Sequence, residues 1–479
     1  MAASSTAWLV FAKRDCPTCT MIESVLQALD KESTPITVYV QDDPSFPEQV
    51  SSVIDDSSLE QSYLHEIETV PTLIRIENDS EIQRIVGWNK EEWRTFTDID
   101  SLGEDLPAHR PGCGSKNVEP GVTEKLAIQF GDVVFGSRPI ELAALEDEME
   151  ACYDRGWSDG LPVVPPTRER VLGMLGGTTR DPAEIIGTVP PDLIECTVEK
   201  VAINAVLAGC KPEYMPVVLA TVEAALIDDF CMHGLLATTW FSGPIVVVNG
   251  PITKRIGMNS GANALGQGNR ANATIGRALQ LVIRNVGGGK PQGVDRATLG
   301  NPGKYTFCFA EDESDDRWKT LHEERGFDKS KSTVTLFAGD GVQGIMDQQS
   351  REPESLIATF AECLKTVAHP KLAMVADAML VVTPEHSRVF YEAGWDKQKF
   401  REALEFKTMR PGADLIRGAN DIAEGLPEHL KDVTVPKFRP GGLHIVRAGG
   451  KAGMFSAIIG GWVASGPIGS QAVTKEIST

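Results

Sequence analysis

The sequence lacks long hydrophobic runs and has little positive charge. No apolar stretch approaches the ~20 residues that a membrane-spanning helix needs, so we expect no membrane partner. Lys and Arg number 46 against 67 Asp and Glu, which gives a formal net charge of −21. This charge would repel a nucleic acid, and no basic stripe offsets it, so we expect no nucleic-acid partner.

The sequence also lacks the signs of an exported, disulfide-bonded protein. Its nine cysteines are an odd number, and no signal peptide precedes the first predicted strand. This pattern indicates mostly free thiols in a reducing compartment, so we expect a cytoplasmic protein. A chain of 479 residues is too long for one core and predicts two unequal domains or about three.

The first chemical motif is a pair of cysteines, Cys16 and Cys19, separated by Pro-Thr. Residues 7–12 predict a buried strand before the pair, and residues 21–29 predict a helix after it. Backbone N–H groups and the helix dipole stabilise a thiolate at such a helix start. A CxxC motif after a strand is typical of a redox dithiol. Half of a zinc site is the alternative, but no second CxxC or nearby His pair accompanies the motif, so no metal is expected.

Further strand and helix patterns fill residues 1–105. Together with Cys16-Pro-Thr-Cys19 and Val70-Pro71-Thr72, this series resembles the thioredoxin fold over nearly the whole segment. The resemblance implies a cis peptide bond at Pro71 that faces the CxxC motif. It also implies that Cys16 is the exposed attacking thiol and Cys19 the resolving thiol. Pro-Thr stands where thioredoxin has Gly-Pro, which leaves the direction of electron flow open.

A third cysteine lies in residues 106–121, which are rich in Gly and Pro and lack periodicity. This composition predicts a linker between domains. Cys113 stands between two glycines, so little side-chain bulk shields its sulfur. Arg110 and Lys116 are close enough in sequence to lower the pKa of its thiol. These features indicate a nucleophile, and a linker cysteine without a chemical role is the alternative.

The residues around Cys113 carry a second resemblance. Pro111-Gly-Cys-Gly-Ser115, followed by WSDGLPVVPPT at residues 157–167, resembles the UGSC family of selenoprotein-related proteins, which is named for a Sec-Gly-Ser-Cys motif. The resemblance implies that Cys113 stands at the selenocysteine position. Lys116 follows Gly-Ser here, where the family motif has cysteine.

Residues 122–479 alternate strand and helix patterns, so we expect a large mixed α/β region of one or two subdomains that holds the substrate. One segment before an apolar helix at residues 278–286 is rich in amide and guanidinium groups. Such groups at a helix start suit a carboxylate or another oxyanion. A loop that satisfies its own backbone is the alternative. The candidate binding residues are Asn259, Asn263, Asn269, Arg270, Asn272, Thr274 and Arg277.

Two candidates for proton transfer, Glu385 and His386, follow the apolar strand predicted at residues 372–382. The carboxyl ends of strands in open α/β sheets face ligand crevices, which favours an acid–base role. The alternative is that His386 caps the following helix.

The patterns together predict a thiol-dependent oxidoreductase. Cys113 would act on a small, anionic substrate, the Cys16/Cys19 dithiol would regenerate Cys113, and His386 or Glu385 would supply a proton. No cofactor beyond the cysteines is expected, and the electron donor would be a low-molecular-weight thiol or a reductase of the thioredoxin-reductase type. Self-association into a homo-oligomer is left open. The alternatives are a lyase or hydrolase with a Cys nucleophile, a thiol enzyme that handles soft metals or organometals, and a protein-disulfide reductase.

Overall fold

The computed structural model describes residues 6–416, 424–462 and 469–478. It divides into two units, Met1–Val134 and Phe135–Thr479. The mixed α/β class predicted from the sequence is confirmed, with several sheets among these residues. Residues 106–121, predicted to be a linker, fall inside the first unit because the division comes after Val134. Within the described ranges, no helix is both long and apolar enough to cross a membrane.

The first unit is built on a mixed sheet in the order β3-β2-β1-β5-β6. Strand β1 is parallel to β2 and antiparallel to β5, which places it inside the sheet. The elements of this unit are β1 Thr6–Ala12, α1 Pro17–Met21, α2 Glu23–Leu29, β2 Ile36–Val40, β3 Val53–Asp55, α3 Glu60–Leu64, β4 Thr69–Val70, β5 Thr72–Glu77, β6 Ser80–Val86, β7 Trp88–Asn89, α4 Lys90–Thr97, β8 His109–Arg110, β9 Cys113–Gly114 and α5 Val122–Phe130.

Strand β1 leads directly to the dithiol. Its apolar residues suit a pleated, buried surface, and Val10 and Phe11 are fully buried. After the strand, the Cys16 N–H donates to the Lys13 carbonyl at 3.2 Å and closes a turn. Helix α1 then starts with Cys16 as its N-cap and Pro17 in its first turn, where the missing N–H costs nothing. The local sequence therefore places the Cys16 sulfur at the start of a helix.

Residues 106–121 run back along the first unit and pair with it twice. Strand β8 pairs with β7, and β9 pairs with β4, so that Cys113 lies opposite Val70. Gly112 permits the close approach, because a Cβ there would lie 2.7 Å from the Val70 carbonyl oxygen. The Val70–Pro71 peptide bond is cis, the isomer that the resemblance to the thioredoxin fold implies.

The second unit contains a larger mixed sheet in the order β13-β12-β14-β19-β15-β18, and β20 also pairs with β14. Its elements are α6 Glu148–Asp154, α7 Arg168–Leu175, β10 Ile185–Val189, β11 Ile194–Thr197, α8 Val198–Ala208, α9 Met215–Ala225, α10 Met232–Ala237, β12 Gly243–Asn249, α11 Ile252–Arg255, α12 Arg270–Asn285, β13 Cys308–Ala310, α13 Leu321–Glu324, β14 Thr333–Met346, α14 Pro353–Lys365, β15 Ala376–Val382, α15 Pro384–Glu392, α16 Lys397–Thr408, β16 Arg410–Pro411, β17 Thr434–Val435, β18 Phe438–Arg447, β19 Phe455–Gly461 and β20 Val473–Glu476.

This larger sheet curves strongly, so that its end strands approach each other. The Asp312 N–H, just after β13, donates to the carbonyl of Arg447 at the end of β18 at 2.7 Å. The inward side chains form one apolar cluster that includes Phe309, Phe337 and Met379. Helices α8, α9 and α12 contribute to a second cluster on the outer face, and α14, α15 and α16 contribute to a third. Both faces of the sheet are therefore buried.

Candidate functional site

The sulfur of Cys16 lies at the centre of a small cluster of thiols in the first unit. Its Sγ atom is 2.9 Å from the Sγ of Cys113 and 3.6 Å from the Val70 carbonyl oxygen. The Cys19 N–H donates to the same sulfur at 3.4 Å. Cys16 and Cys19 are fully buried, and Cys113 is half-buried. The structure thus brings the three predicted redox cysteines and the Val70–Pro71 segment together.

The surroundings of Cys16 favour its thiolate. A hydrogen bond from the Cys19 side chain is the largest cause that lowers the Cys16 pKa to about 5, and it acts against burial. The Cys113 thiol and the N–H groups of Cys19 and Thr18 add to this effect. Burial and the hydrogen bond to Cys16 raise the pKa of Cys19. At neutral pH, Cys16 is therefore the thiolate and Cys19 a protonated donor.

Two sequence-based expectations about these thiols are wrong. Cys16 is not exposed, because it is fully buried and Cys113 contacts its sulfur. The pKa of Cys113 is raised rather than lowered, because burial and the hydrogen bond to Cys16 outweigh the nearby charge of Lys13. The more accessible sulfur and the more acidic sulfur therefore belong to different residues.

Backbone and side-chain contacts fix the position of Cys113. In addition to the β4–β9 pairing, the Thr18 hydroxyl donates to the Pro111 carbonyl at 2.7 Å. The Ser115 N–H donates to the Glu68 carbonyl at 3.0 Å. Open space surrounds the position of a Cβ at Gly114, so one side of the loop is free. Cys113 is thus anchored on both sides while part of its surface is accessible.

The amide groups of the predicted anion-binding segment bond mainly to its own backbone. Asn269 is the N-cap of α12 and accepts from the Asn272 N–H at 3.0 Å, while its amide donates to the Gly257 carbonyl. Asn272 accepts from the Asn259 N–H and donates to the Asn259 carbonyl. Asn259 accepts from the Gly261 N–H at 2.9 Å. These amides stabilise the turns that lead into α12.

The two arginines of this segment also have partners within the second unit. Arg277 binds both carboxylate oxygens of Asp159, at 2.8 and 2.7 Å. Arg270 donates to the Gly209 carbonyl at 2.9 Å. The two other candidates donate to backbone carbonyls, Asn263 to Gln267 and Thr274 to Arg270. Each of these side chains thus has a hydrogen-bond partner within the second unit, and anion binding here stays a prediction.

Glu385 and His386 lie in the first turn of α15, in the second unit. Glu385 accepts from the Met454 N–H at 2.6 Å. His386 is fully buried, with Nδ1 2.7 Å from the Ser456 hydroxyl and Nε2 3.1 Å from the Asp347 carbonyl. Burial lowers its pKa, so the ring is neutral, Nε2 donates to the carbonyl and Nδ1 accepts from Ser456. These contacts join α15 to the ends of β14 and β19, and an acid–base role for either side chain stays a prediction.

Other residues of the thiol site were not identified from the sequence. Thr18 and the Val70 carbonyl belong to motifs that were recognised, but their contacts were not. Gln41 lies beyond any recognised motif and bonds to Ser115, 74 positions away. No local pattern marks such a residue, because its role depends on a contact between distant segments.

Comparisons with other proteins give no further identification. No protein-family model, curated protein or solved structure matches the chain. In the part of the chain that the structure describes, no group of three or more His, Cys, Asp or Glu side chains is arranged to hold a metal ion.

Proposed function

We propose that the protein is a thiol-dependent oxidoreductase. In this proposal Cys113 acts on a small, anionic substrate, and the Cys16/Cys19 dithiol regenerates it. The 2.9 Å contact between the Cys16 and Cys113 sulfurs carries the proposal, because disulfide exchange requires two sulfurs within bonding reach. We also propose that the first unit is a thioredoxin-like redox domain. The inner position of β1, its parallel pairing with β2 and its antiparallel pairing with β5 support this.

The proposed cycle begins at the accessible sulfur. Cys113 attacks an electrophilic atom of the substrate and forms a bond to it, the bond to the leaving group breaks, and Cys16 takes up the Cys113 proton. Cys16 has a pKa of about 5, so it returns that proton to solvent at neutral pH and again becomes a thiolate. Proton transfer across the existing sulfur contact explains how a thiol with a raised pKa can act as the nucleophile.

The next steps return Cys113 to its starting state. The Cys16 thiolate attacks the Cys113 sulfur, and the substrate fragment leaves with the electron pair of its bond to sulfur and a proton from solvent. Cys19 then attacks Cys16 and gives its proton to the departing Cys113 sulfur, which forms the Cys16–Cys19 disulfide and releases Cys113 as a thiol. A low-molecular-weight thiol or a reductase supplies two electrons and two protons to reduce this disulfide. Each cycle thus passes two electrons from the donor to the substrate.

A trapping experiment tests this order of steps. The reduced full-length protein is mixed with 5,5′-dithiobis(2-nitrobenzoate), a small anionic disulfide, and its disulfides are mapped by mass spectrometry. We expect Cys16–Cys19 in the native protein and Cys16–Cys113 in Cys19→Ser, because that variant lacks the resolving thiol. Cys363→Ser, which alters a half-buried cysteine of the second unit, is the control and should behave as the native protein. Undiminished, reductant-dependent turnover in Cys113→Ser would refute the proposal.

The consumption of reductant separates this proposal from the other thiol chemistries. An oxidoreductase consumes two electrons per turnover, whereas a lyase or hydrolase with a Cys nucleophile consumes none.

All nine cysteines are unpaired in the structure. We therefore propose a reducing compartment, the cytoplasm, in which a thiol donor would be available.

A further inference from the structure

One buried side chain, Gln41, joins the segment that presents Cys16 to the loop that presents Cys113. Gln41 follows β2 and is 2% exposed. Its amide nitrogen donates to the hydroxyls of Ser62 at 2.8 Å and Ser115 at 2.6 Å. Its amide oxygen accepts from the Lys116 N–H at 3.0 Å. Both hydrogens of the amide nitrogen and the oxygen are thus bonded, and two of the three bonds reach the Cys113 loop.

The direction of these hydrogen bonds is fixed by a buried carboxylate. Asp56 is 1% exposed and accepts from the Ser62 N–H at 2.9 Å and the Ser62 hydroxyl at 2.5 Å. Since the Ser62 hydroxyl uses its single hydrogen to donate to Asp56, its oxygen accepts from the Gln41 amide. Asn117 completes the ring, because it bonds with the Ser115 hydroxyl and donates to the Ser62 carbonyl. A satisfied buried network of this kind specifies one geometry.

Gln41 is also tied to the strand that leads to Cys16. Its backbone N–H donates at 3.1 Å to the carbonyl of Ala12, the last residue of β1. Its side chain bonds to Ser115, two residues beyond Cys113. A single residue therefore bridges the two segments whose sulfurs are 2.9 Å apart.

We propose that Gln41 is a positioning residue that holds the Cys113 sulfur against the Cys16 thiolate. The relay then works by exchange between sulfurs that are held in place, rather than by an arm that swings on a linker. This inference rests on the function proposed above. An amide is required at position 41, because a carboxylate offers no hydrogen to Ser62 or Ser115 and an apolar side chain offers no polar atom at all.

The test compares Gln41→Met with Gln27→Met in the full-length protein. Gln27 lies on α2 of the same unit, and its amide donates to the Glu48 carbonyl on another segment, so Gln27→Met is the matched control. Two quantities are measured well below the melting temperature: the Cys16 pKa, from thiolate absorbance, and the rate of Cys16–Cys113 disulfide formation in a Cys19→Ser background. In Gln41→Met we expect a higher Cys16 pKa and a rate lower by on the order of 10-fold or more, because a small misplacement of reacting atoms is costly.

Two further variants distinguish positioning from general destabilisation. Ser115→Ala removes the two hydrogen bonds of the Ser115 hydroxyl, to Gln41 and to Asn117, and leaves the bond from the Lys116 N–H to Gln41 in place. It should move both quantities in the same direction by less, and it provides the test if the Gln41→Met protein fails to fold. In a Cys113→Ser background, Gln41→Met should change the Cys16 pKa no further. A lower melting temperature with an unchanged pKa and rate would overturn the positioning role. Normal turnover in Cys113→Ser would instead overturn the proposed function. The Cys16 pKa and the rate of Cys16–Cys113 disulfide formation would still show whether Gln41 positions the two sulfurs.

Discussion

The Cys113 loop and the Asn/Arg segment, residues 259–277, which runs into α12, look alike in the sequence but differ in what their polar groups bond to. Both are rich in glycine and were predicted to be functional. The Cys113 loop is held by partners from distant segments, such as Val70 and Gln41, and these contacts place a sulfur beside another sulfur. In the second segment, Asn259, Asn269 and Asn272 bond chiefly to nearby backbone. Composition alone does not separate a loop that places two sulfurs side by side from a loop whose polar groups bond to its own backbone.

The largest expected effect comes from removing the thiolate itself. Cys16→Ser should reduce the relay to the level measured without protein, because a thiolate is the nucleophile in disulfide exchange. Electron transfer from a dithiol donor to 5,5′-dithiobis(2-nitrobenzoate) is the measurement. The double variant Arg270→Ala/Asn272→Ala should keep most of this activity. A loss in the double variant equal to that in Cys16→Ser would remove the distinction between the two regions.

A substitution in the Asn/Arg segment should lower the stability of the protein rather than its activity. The Arg277 and Asp159 side chains are only 13% and 11% exposed, so Arg277→Leu leaves a nearly buried carboxylate without its partner. We expect the free energy of unfolding to fall by about 3 kcal/mol, measured by urea denaturation. Asp159→Asn combined with Arg277→Leu should recover part of this loss. An increase in the Michaelis constant with unchanged stability would instead indicate an anion site.

The second unit should also lose stability in acid, because it buries His444. Burial lowers the pKa of His444 from 6.5 to about 3, with nearby arginines adding to the effect. Between these values the unfolded chain binds a proton that the folded protein does not, so stability falls as the pH falls through this window, by up to ~1.4 kcal/mol per pH unit. Urea denaturation from pH 6.5 to 4 should show a shallower dependence in His444→Phe. The exposed His109, changed to Phe, is the control.

The smallest effect should come from the contact between α1 and the Cys113 loop. Thr18→Val removes the hydrogen bond to the Pro111 carbonyl and preserves the shape of the side chain. We expect a loss of about 1 kcal/mol in the free energy of unfolding. Faster alkylation of Cys113 should accompany it, because the loop loses one anchor. Unchanged alkylation would mean that the β4–β9 pairing and Gln41 hold the loop without Thr18.

The parts of the site that depend on neighbouring residues could be predicted from the sequence, and the parts that depend on distant contacts could not. The strand before Cys16 and the helix start at Cys16 follow from residues within one short segment. The contact of Cys16 with Cys113 joins residues 97 positions apart. The Gly and Pro content that predicted a linker also permits the tight packing of Gly112 against Val70, and composition cannot choose between these. The predicted helix at residues 21–29 is broken at Ile22 in the structure.

The closeness of the two sulfurs has a consequence for oxidative damage. A peroxide converts a thiolate to a sulfenic acid, and a second peroxide converts that group to a sulfinic acid that ordinary thiols do not reduce. With the Cys113 sulfur 2.9 Å away, a sulfenic acid on Cys16 would condense with the neighbouring thiol to a disulfide and water before the second oxidation. The contact on which the proposed electron transfer depends would thus also protect the most acidic sulfur from irreversible loss.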